Sequence, residues 1–428
     1  MNNQKATTAQ VTSLPTAPRG KLRVWVAMLC AAAYFVAYLD RVNVSVLIAD
    51  PVFTKVFGIA KDKAAQGLLM SVFLFAYGVS CFLAGPLIER FGAKKSFVVG
   101  LLSWALLMGV MGTLSSLAFI LLCRALLGLG EAVLGPGISK LVQTWFPVQE
   151  RAKANGLWYI GLQVAYIVAT PLVAWWIAAI GWRGSYYILA LIGLAPLILC
   201  IYCVYDHPSK HPRITTEELV YIESKPERKA SAANITKTDL RFLKSSTFWY
   251  LTIAYGVANA GSWGFIAWIP SYLKSTLGFS WAAMGSLAML PYLCGTLAVM
   301  VSTPLMDKYN RRAVFTFWGS AIFVLLTVLA MRVGSPLGAV AVLSLAYAAH
   351  GLRVPALWTI LQNVTKKEQV ATATGFFNGF AYVLASLTPY GVGLCFNFTG
   401  SLKTGFYFLA LLSVLGFLVC IPLVRQRM

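Results

Sequence analysis

The segment Gly85-Pro-Leu-Ile-Glu-Arg-Phe-Gly-Ala-Lys-Lys95 follows a long apolar run, and a similar segment follows another apolar run 218 residues later. This second copy is Thr303-Pro-Leu-Met-Asp-Lys-Tyr-Asn-Arg-Arg312, which keeps the proline, the acid followed by a base, and the closing pair of basic residues. A further correspondence, at an offset of 219, relates Glu131 to His350. These repeats predict that the chain is built from two similar halves.

Apolar stretches make up most of both halves. Of the 428 residues, 59% are hydrophobic and only 11% are charged, and the mean hydropathy is +0.73. A helix needs about 20 apolar residues to cross a bilayer. The sequence therefore predicts an all-α polytopic membrane protein with twelve transmembrane helices in two pseudo-symmetric six-helix bundles. The stretches are 22–49, 66–88, 97–114, 117–145, 156–179, 184–205, 248–273, 281–305, 313–332, 337–362, 371–396 and 402–424.

Polar segments divide the chain between these stretches. We assign 1–21 to an N-terminal tail, 22–205 and 248–424 to the two halves, and 206–247 to a linker with a short amphipathic helix near Thr215–Ser224. With the N-terminus inside, the inner segments carry 24 Lys and Arg residues and the outer segments carry seven. Because cytoplasmic loops carry the excess of positive charge, both termini are predicted to be cytoplasmic.

The same composition argues against several classes of function. The net charge of +21 lies mostly in the segments between apolar runs, where it sets topology, so nucleic acid is not an expected partner. All eight cysteines fall inside apolar runs, which is typical of small buried side chains and not of disulfides or a metal site. The sequence has no phosphate-binding loop, metal cluster or catalytic triad, so we expect neither an enzyme nor a primary pump, and no cofactor or metal.

Two of the fourteen acids, Asp40 and Glu131, lie deep inside apolar stretches. A charge at this depth costs roughly 2.5–3.5 kcal/mol on insertion scales, so such residues usually mark a substrate or ion pathway. The other interpretation is a fixed ion pair that locks the first stretch to the fourth. Arg124 and Glu131 share one helix face, because they are seven residues apart. If Arg124 pairs with Asp40, Glu131 is left near a cavity, and Arg41 is free to meet a substrate.

Several of these segments resemble known transporters. Gly85–Lys95 resembles the signature of the major facilitator superfamily, G-x-x-x-D-R-x-G-R-[KR], with Glu89 where aspartate is usual. Tyr38-Leu-Asp-Arg-Val-Asn43, Arg124-x6-Glu131 and Trp145-Phe-Pro-x-x-Glu-Arg151 resemble the anion:cation symporter family. That family includes bacterial hexuronate and aldonate transporters and, more distantly, sialin and the vesicular glutamate transporters. The resemblance implies two six-helix bundles with a binding site between them.

The resemblance also implies roles for single residues. The acids at Asp40 and Glu131 take up and release protons, and Arg124 modulates them. Arg41 binds the carboxylate of the substrate, for which a guanidinium fork is well suited. Tyr77 corresponds to a substrate-facing tyrosine of the aldonate transporters. A proton gradient is the expected driving force, and sodium is less expected.

Further candidates for substrate binding are polar or aromatic residues within apolar stretches. His350 and Arg353 share a helix face, so Arg353 is either a second anion ligand in the cavity or a snorkelling residue at the outer boundary. Trp358 either stacks on a sugar ring or only packs. The other candidates offer a hydroxyl or an amide, and they are Tyr38, Gln163, Asn259 and Asn378.

Charged residues in the repeated segments are predicted to act as gates. They would form ion pairs at the inner surface that break when the cytoplasmic side opens. In the first half the gating residues are Glu89, Arg90, Lys94, Lys95, Glu150 and Arg151, and in the second half Asp307, Arg311, Arg312 and Glu368.

The function predicted from the sequence is proton-coupled import of an organic anion, with a sugar acid (a hexonate or hexuronate) favoured. The alternatives are an organophosphate or anion exchanger, a transporter of another small carboxylate such as a dicarboxylate or an aromatic acid, and a transporter-like membrane sensor. A drug/proton antiporter is disfavoured, because 156–179 lacks G-x-x-x-G-P. The expected partners are a small anion, protons and the lipid bilayer. We expect a monomer in a bacterial inner membrane.

Overall fold

The computed structural model describes residues 22–223, 240–309, 311–365 and 370–426, and within these ranges it contains helices and no strand. The all-α prediction is therefore confirmed. The helices are α1 (Leu22–Leu47), α2 (Pro51–Val56), α3 (Lys63–Phe91), α4 (Ala93–Thr113), α5 (Leu117–Glu131), α6 (Leu134–Trp145), α7 (Val148–Cys203), α8 (Thr216–Glu223), α9 (Ser246–Ser271), α10 (Trp281–Leu287), α11 (Leu290–Tyr309), α12 (Arg312–Arg332), α13 (Pro336–Val364), α14 (Val370–Ala385), α15 (Leu387–Thr399) and α16 (Leu402–Arg425).

Ten helical segments of the described chain are long and apolar enough to cross a membrane, so this is a multi-pass membrane protein. One of the ten, Lys153–Cys203, is broken at Gly181, whose φ of 75° is in the left-handed region that favours glycine. Helix α9 has 26 residues but is not among the ten. The count of twelve crossings and the cytoplasmic position of both termini stay predictions.

Glycine is required in the signature segment, because Gly92 ends α3 with a φ of 84° and lies against the side chain of Asp206. A Cβ at Gly92 would come within 2.6 Å of the Asp206 carboxylate. That carboxylate accepts a hydrogen bond of 2.9 Å from the backbone N–H of Lys94 and so caps the start of α4 from outside the helix. The signature thus fixes how α3 and α4 meet the start of the linker.

The two halves pack against each other along α3, including at the end of the bundle where α3 begins. We call this the far end, and we call the opposite end, where Glu150 and Glu218 lie, the linker end. At the far end the amide of Asn397 donates to Asp62 at 2.8 Å, and its carbonyl accepts from the backbone N–H of Lys63 at 3.0 Å. Backbone and side-chain hydrogen bonds, from Ala65 and Asn397, lower the pKa of Asp62.

The far end is closed by direct backbone contact between α3 and α15. A Cβ on Gly67 would overlap the carbonyl group of Pro389, which cannot move aside as a flexible side chain could. The Gly67→Val variant is therefore expected to separate the halves at the far end. Spin labels at Lys61 and Phe398, both exposed, should report a distance several ångströms longer than in the parent protein.

The matched control is Gly85→Val on the same helix, where an added Cβ meets nothing within 4 Å. This variant should leave the distance between the labels unchanged. Equal distances in both variants would show that Gly67 does not hold the halves together.

Candidate functional site

Two buried ion pairs connect α1 with α5. The guanidinium of Arg124 lies 3.2 Å from Asp40, with Nη1 donating to Oδ2. Arg41 contacts Glu131 through both Nε and Nη2, each 2.8 Å from Oε2. The structure thus contains the Asp40–Arg124 pair that was considered because both charges need a partner at membrane depth. Arg41, which was expected to be unpaired, instead holds Glu131.

Each of the four charged groups keeps one polar atom without a hydrogen-bond partner. These atoms are Asp40 Oδ1, Arg41 Nη1, Arg124 Nη2 and Glu131 Oε1. All four side chains are buried, and unpaired polar atoms are costly in such surroundings. The site therefore has unused capacity to bind a ligand, a proton or water.

A small cavity lies beside Glu131, between α1, α4, α5 and α6. Its volume is about 10 Å³, which is about enough for one water molecule. Trp104 and Gly100 lie on one side of it and Ala37 on another. Because Oε1 of Glu131 has no protein partner, a water here would have a carboxylate oxygen to bind.

Aromatic rings surround the guanidinium of Arg41. Its central carbon lies 4.6 Å from the ring centroid of Tyr38 and 4.5 Å from that of Tyr77. Trp263 on α9 contributes a ring from the second half at 5.9 Å. Such distances are those of cation–π contacts. Tyr38 and Tyr77 were expected near the substrate, whereas Trp263 was missed because tryptophan in an apolar helix gives no signal that separates binding from packing.

Two of the predicted amide ligands connect the halves. Gln163 donates to the hydroxyl of Thr296 at 2.8 Å. Asn378 accepts from the hydroxyl of Tyr255 at 3.4 Å and donates to the sulfur of Cys81 at 3.7 Å. These contacts place both amides between the N-terminal and C-terminal halves.

The structure places three predicted ligands of the second half away from the Arg41 rings. Trp358 packs edge-on against Tyr255, with ring centroids 5.6 Å apart. The guanidinium of Arg353 lies over Phe323 of α12 at 4.6 Å, is buried, and has three nitrogens without a hydrogen-bond partner. His350 stacks on Tyr347 at 5.6 Å. A snorkelling side chain reaches water, whereas Arg353 is fully buried. The role of Arg353 as an anion ligand stays a prediction.

Ion pairs at the linker end differ from those expected. Glu150 binds Arg23, with Oε2 2.8 Å from Nε, and accepts a hydrogen bond from Tyr221 of α8 at 3.0 Å. Arg23 also binds Glu218 at 3.1 Å. Burial favours a higher pKa for Glu150, but the hydrogen bonds from Arg23 and Tyr221 outweigh it and lower the pKa. Glu218 was not among the predicted residues, and it lies 195 residues from Arg23 along the chain.

The remaining gating candidates have other surroundings. Glu89 and Arg90 are exposed, and the Arg90 guanidinium lies 5.4 Å from the ring of its neighbour Phe91. Arg151 donates to the backbone carbonyls of Phe146 and Gln143. The side chain of Asp307 and all of Glu368 lie outside the described residues. Gating by these residues stays a prediction.

Comparison with known proteins identifies relatives along nearly the whole chain. The model of the Major Facilitator Superfamily matches residues 30–389. The chain is 28% identical over 391 residues to the probable sulfoacetate transporter SauU of Cupriavidus necator, covering 90% of this chain and 89% of the relative. It is 27% identical to the probable galactarate/D-glucarate transporter GudP of Bacillus subtilis, covering 96% and 94%.

Among solved structures, the fold matches a bacterial homologue of the human lysosomal transporter Spinster, crystallised in an inward-facing and occupied conformation. The TM-score is 0.77 at 16% identity, and the match covers 96% of this chain and 98% of that chain. At this identity the comparison shows a shared fold.

Proposed function

Because the chain belongs to the major facilitator superfamily, we propose that it imports an organic anion together with protons by alternating access. It is a membrane transporter, and like its bacterial relatives it is a protein of the inner membrane. The observation that carries the proposal is the buried contact between Arg41 and Glu131, with one open atom on each side.

In the proposed cycle, the substrate competes with Glu131 for Arg41. A carboxylate that binds the guanidinium fork of Arg41 displaces Glu131, because both need the same N–H groups. Arg124 cannot replace the lost cation, since it holds Asp40. A buried carboxylate without a counter-charge is unfavourable, so Glu131 takes up a proton. Anion binding and proton uptake are thereby coupled.

Release on the other side reverses these steps. When the anion leaves, Arg41 is again free to attract Glu131, which gives up its proton. Asp40 is the second proton carrier in this proposal, and Arg124 sets how readily it ionises. Alternating access would rotate the two halves relative to each other around the site. The site includes residues of both halves, because Arg41 contacts Trp263 of the second half. One chain contains the whole site, so we propose that a monomer is active and that no cofactor is needed.

The class of substrate follows from the cation and from the relatives. The guanidinium of Arg41, which keeps an open N–H group beside Glu131, suits a carboxylate. The relatives' names specify sulfoacetate and the sugar acids galactarate and D-glucarate, which are all organic anions. Sugar acids, favoured from the sequence, are therefore one class to test. An organophosphate exchanger that pairs arginines on its first and seventh helices fits less well, because α9 contains no Arg or Lys.

Transport measurements in membrane vesicles test the proposal. We expect labelled anion to accumulate when an inward proton gradient is imposed and to equilibrate without accumulation when a protonophore is added. Replacing sodium with potassium should have no effect. Accumulation that persists with the protonophore and depends on sodium would rule out proton coupling. Binding without any transport would instead favour a sensor.

A further inference from the structure

We infer that Arg353 binds a halide ion, chloride being the expected one, at a site inside the second half of the protein. This site is separate from the proposed substrate site at Arg41, and the inference does not depend on which anion the protein transports. The observations that carry it are a buried guanidinium without a counter-charge, a second open polar group nearby, and close packing of the helices around the guanidinium.

The guanidinium of Arg353 is a buried cation with open hydrogen-bond donors. Arg353 lies in the middle of α13, roughly 16 Å along the helix axis from Val364, where α13 ends. The residue is 1% exposed, and its Nε, Nη1 and Nη2 have no hydrogen-bond partner among the described residues. The guanidinium lies 4.6 Å from the ring centroid of Phe323 on α12. This cation–π contact does not replace an opposite charge, which a buried cation needs.

The second half of the sequence offers no acid at this depth. Residues 246–428 include two acids, Asp307 and Glu368, and both lie outside the apolar stretches. The two acids that are buried in α1 and α5 already bind arginines of the first half. An arginine side chain stays protonated in proteins, so Arg353 cannot avoid the cost by losing its charge. The counter-charge therefore has to come from a bound ion.

A second open polar group comes from α16. The hydroxyl of Ser413 is buried and has no hydrogen-bond partner among the described residues. It lies near the Phe323 ring, because a Cβ at Gly261 would be 3.5 Å from this hydroxyl and 3.6 Å from the ring. Ser413 shares a helix face with Cys420, which lies within electrostatic range of Arg353. This face of α16 therefore adds an O–H donor on the same side as the guanidinium.

Close packing of α12 against α13 favours a single-atom anion. A Cβ at Gly319 of α12 would come within 2.8 Å of Cγ of Arg353 and 3.0 Å of the backbone carbonyl oxygen of Ala349. The stem of Arg353 thus lies directly on the backbone of α12. An organic anion with a carbon skeleton would have to separate the two helices, whereas a halide ion needs the space of one atom. N–H and O–H groups are suitable donors for such an ion.

The stability of the purified full-length protein in different salts tests the inference. The protein is prepared without halide in a sulfate buffer, and chloride or bromide then replaces sulfate at constant ionic strength. We expect about 100 mM of either halide to raise the thermal unfolding midpoint by a few degrees, because an ion that binds only the folded protein stabilises it. The same midpoint in chloride and in sulfate would overturn the inference.

Two substitutions locate the halide response. Arg353→Met keeps a long side chain and removes the charge, so its unfolding midpoint should be the same in chloride and in sulfate. Arg332→Met is the matched control, because Arg332 lies on α12 and is exposed. This control should keep the response of the parent protein. An equal halide response in Arg353→Met and in the parent would show that the ion binds elsewhere.

A diffraction measurement on the parent protein gives a test that needs no variant. Crystals grown in bromide should show an anomalous scattering peak within hydrogen-bond distance of the Arg353 guanidinium. This result would support the inference even if Arg353→Met did not fold. Bromide at Arg41 with none at Arg353 would overturn it.

These experiments separate the halide site from the proposed function. Arg353→Met should still accumulate the transported anion on a proton gradient, since Arg41 and Glu131 are unchanged. If the halide response is absent and proton-driven uptake is present, only the inference is wrong. If the halide response depends on Arg353 and no anion is accumulated on a proton gradient, only the proposed function is wrong.

Discussion

Arg41→Gln is expected to abolish anion uptake and to lower anion affinity by about two to three orders of magnitude. Removing one partner of a buried, hydrogen-bonded charge pair costs about 2–5 kcal/mol, and each 1.4 kcal/mol is a factor of ten in affinity. Arg41 lies against the rings of Tyr38 and Tyr77 and retains an open N–H group. Glutamine keeps part of the volume and removes the charge.

The measurement is anion binding to the purified protein, followed by uptake in vesicles. Arg41→Lys should fall between the parent and Arg41→Gln, because an ammonium keeps the charge but cannot present two parallel N–H groups. Parent-like affinity in Arg41→Gln would place the substrate elsewhere. Arg353→Gln tests the second predicted anion ligand, and its position over Phe323 leads us to expect retained binding.

Folding of the Arg41 variant needs its own control. Loss of Arg41 leaves Glu131 buried without its cation, and breaking a buried pair destabilises a protein by about 3–5 kcal/mol. Protonation of Glu131 relieves most of this cost. The thermal unfolding midpoint of Arg41→Gln should therefore lie closer to that of the parent protein at low pH than at high pH. If the variant is folded at low pH and still does not bind the anion, the loss of affinity results from the missing guanidinium and not from misfolding.

Much of the fold could be predicted because its determinants are local. Apolar length indicates a membrane helix, and the signature repeat indicates two halves, without knowledge of any contact. The pair between Asp40 and Arg124 could be anticipated because each charge at membrane depth needs a partner of opposite sign. In each case the residue type and its depth sufficed.

The remaining contacts depend on the rotation of each helix about its axis, which residue spacing does not determine. Arg41 could have faced an empty cavity, but the packing of α1 against α5 turns it toward Glu131. Glu150 was expected in an ion pair among the gating residues and instead binds Arg23, 127 residues away along the chain. The contact of Trp263 with Arg41 was missed for the same reason. With 13% aromatic residues spread over most helices, the sequence does not show which rings share a face.

Glu131→Gln is expected to abolish uphill accumulation while preserving exchange of anion across the membrane. Glutamine resembles the protonated carboxyl group in size and charge, so the variant is fixed in the state that the proposed cycle reaches after proton uptake. It should no longer respond to an imposed proton gradient. Loading vesicles with unlabelled anion should still drive entry of labelled anion, because that exchange needs no net proton movement.

Anion affinity gives a second and independent readout for this variant. In the parent protein Glu131 competes for Arg41, which lowers the apparent affinity by the fraction of molecules in which Arg41 is occupied. Glutamine competes less, so Glu131→Gln should bind the anion at least as tightly as the parent at neutral pH. The effect should fade at low pH, where Glu131 in the parent is already protonated.

The matched control for Glu131→Gln is Glu218→Gln, which also removes a buried acid bound to an arginine but lies at the linker end. Accumulation on the proton gradient should survive in this variant. If both variants lost accumulation, the cause would be a general loss of ion pairs. If Glu131→Gln accumulated anion as well as the parent protein, Asp40 alone would have to carry the proton, and the contact between Arg41 and Glu131 would be structural. Retained exchange with lost accumulation in Glu131→Gln alone would identify Glu131 as the group that couples the proton to the anion.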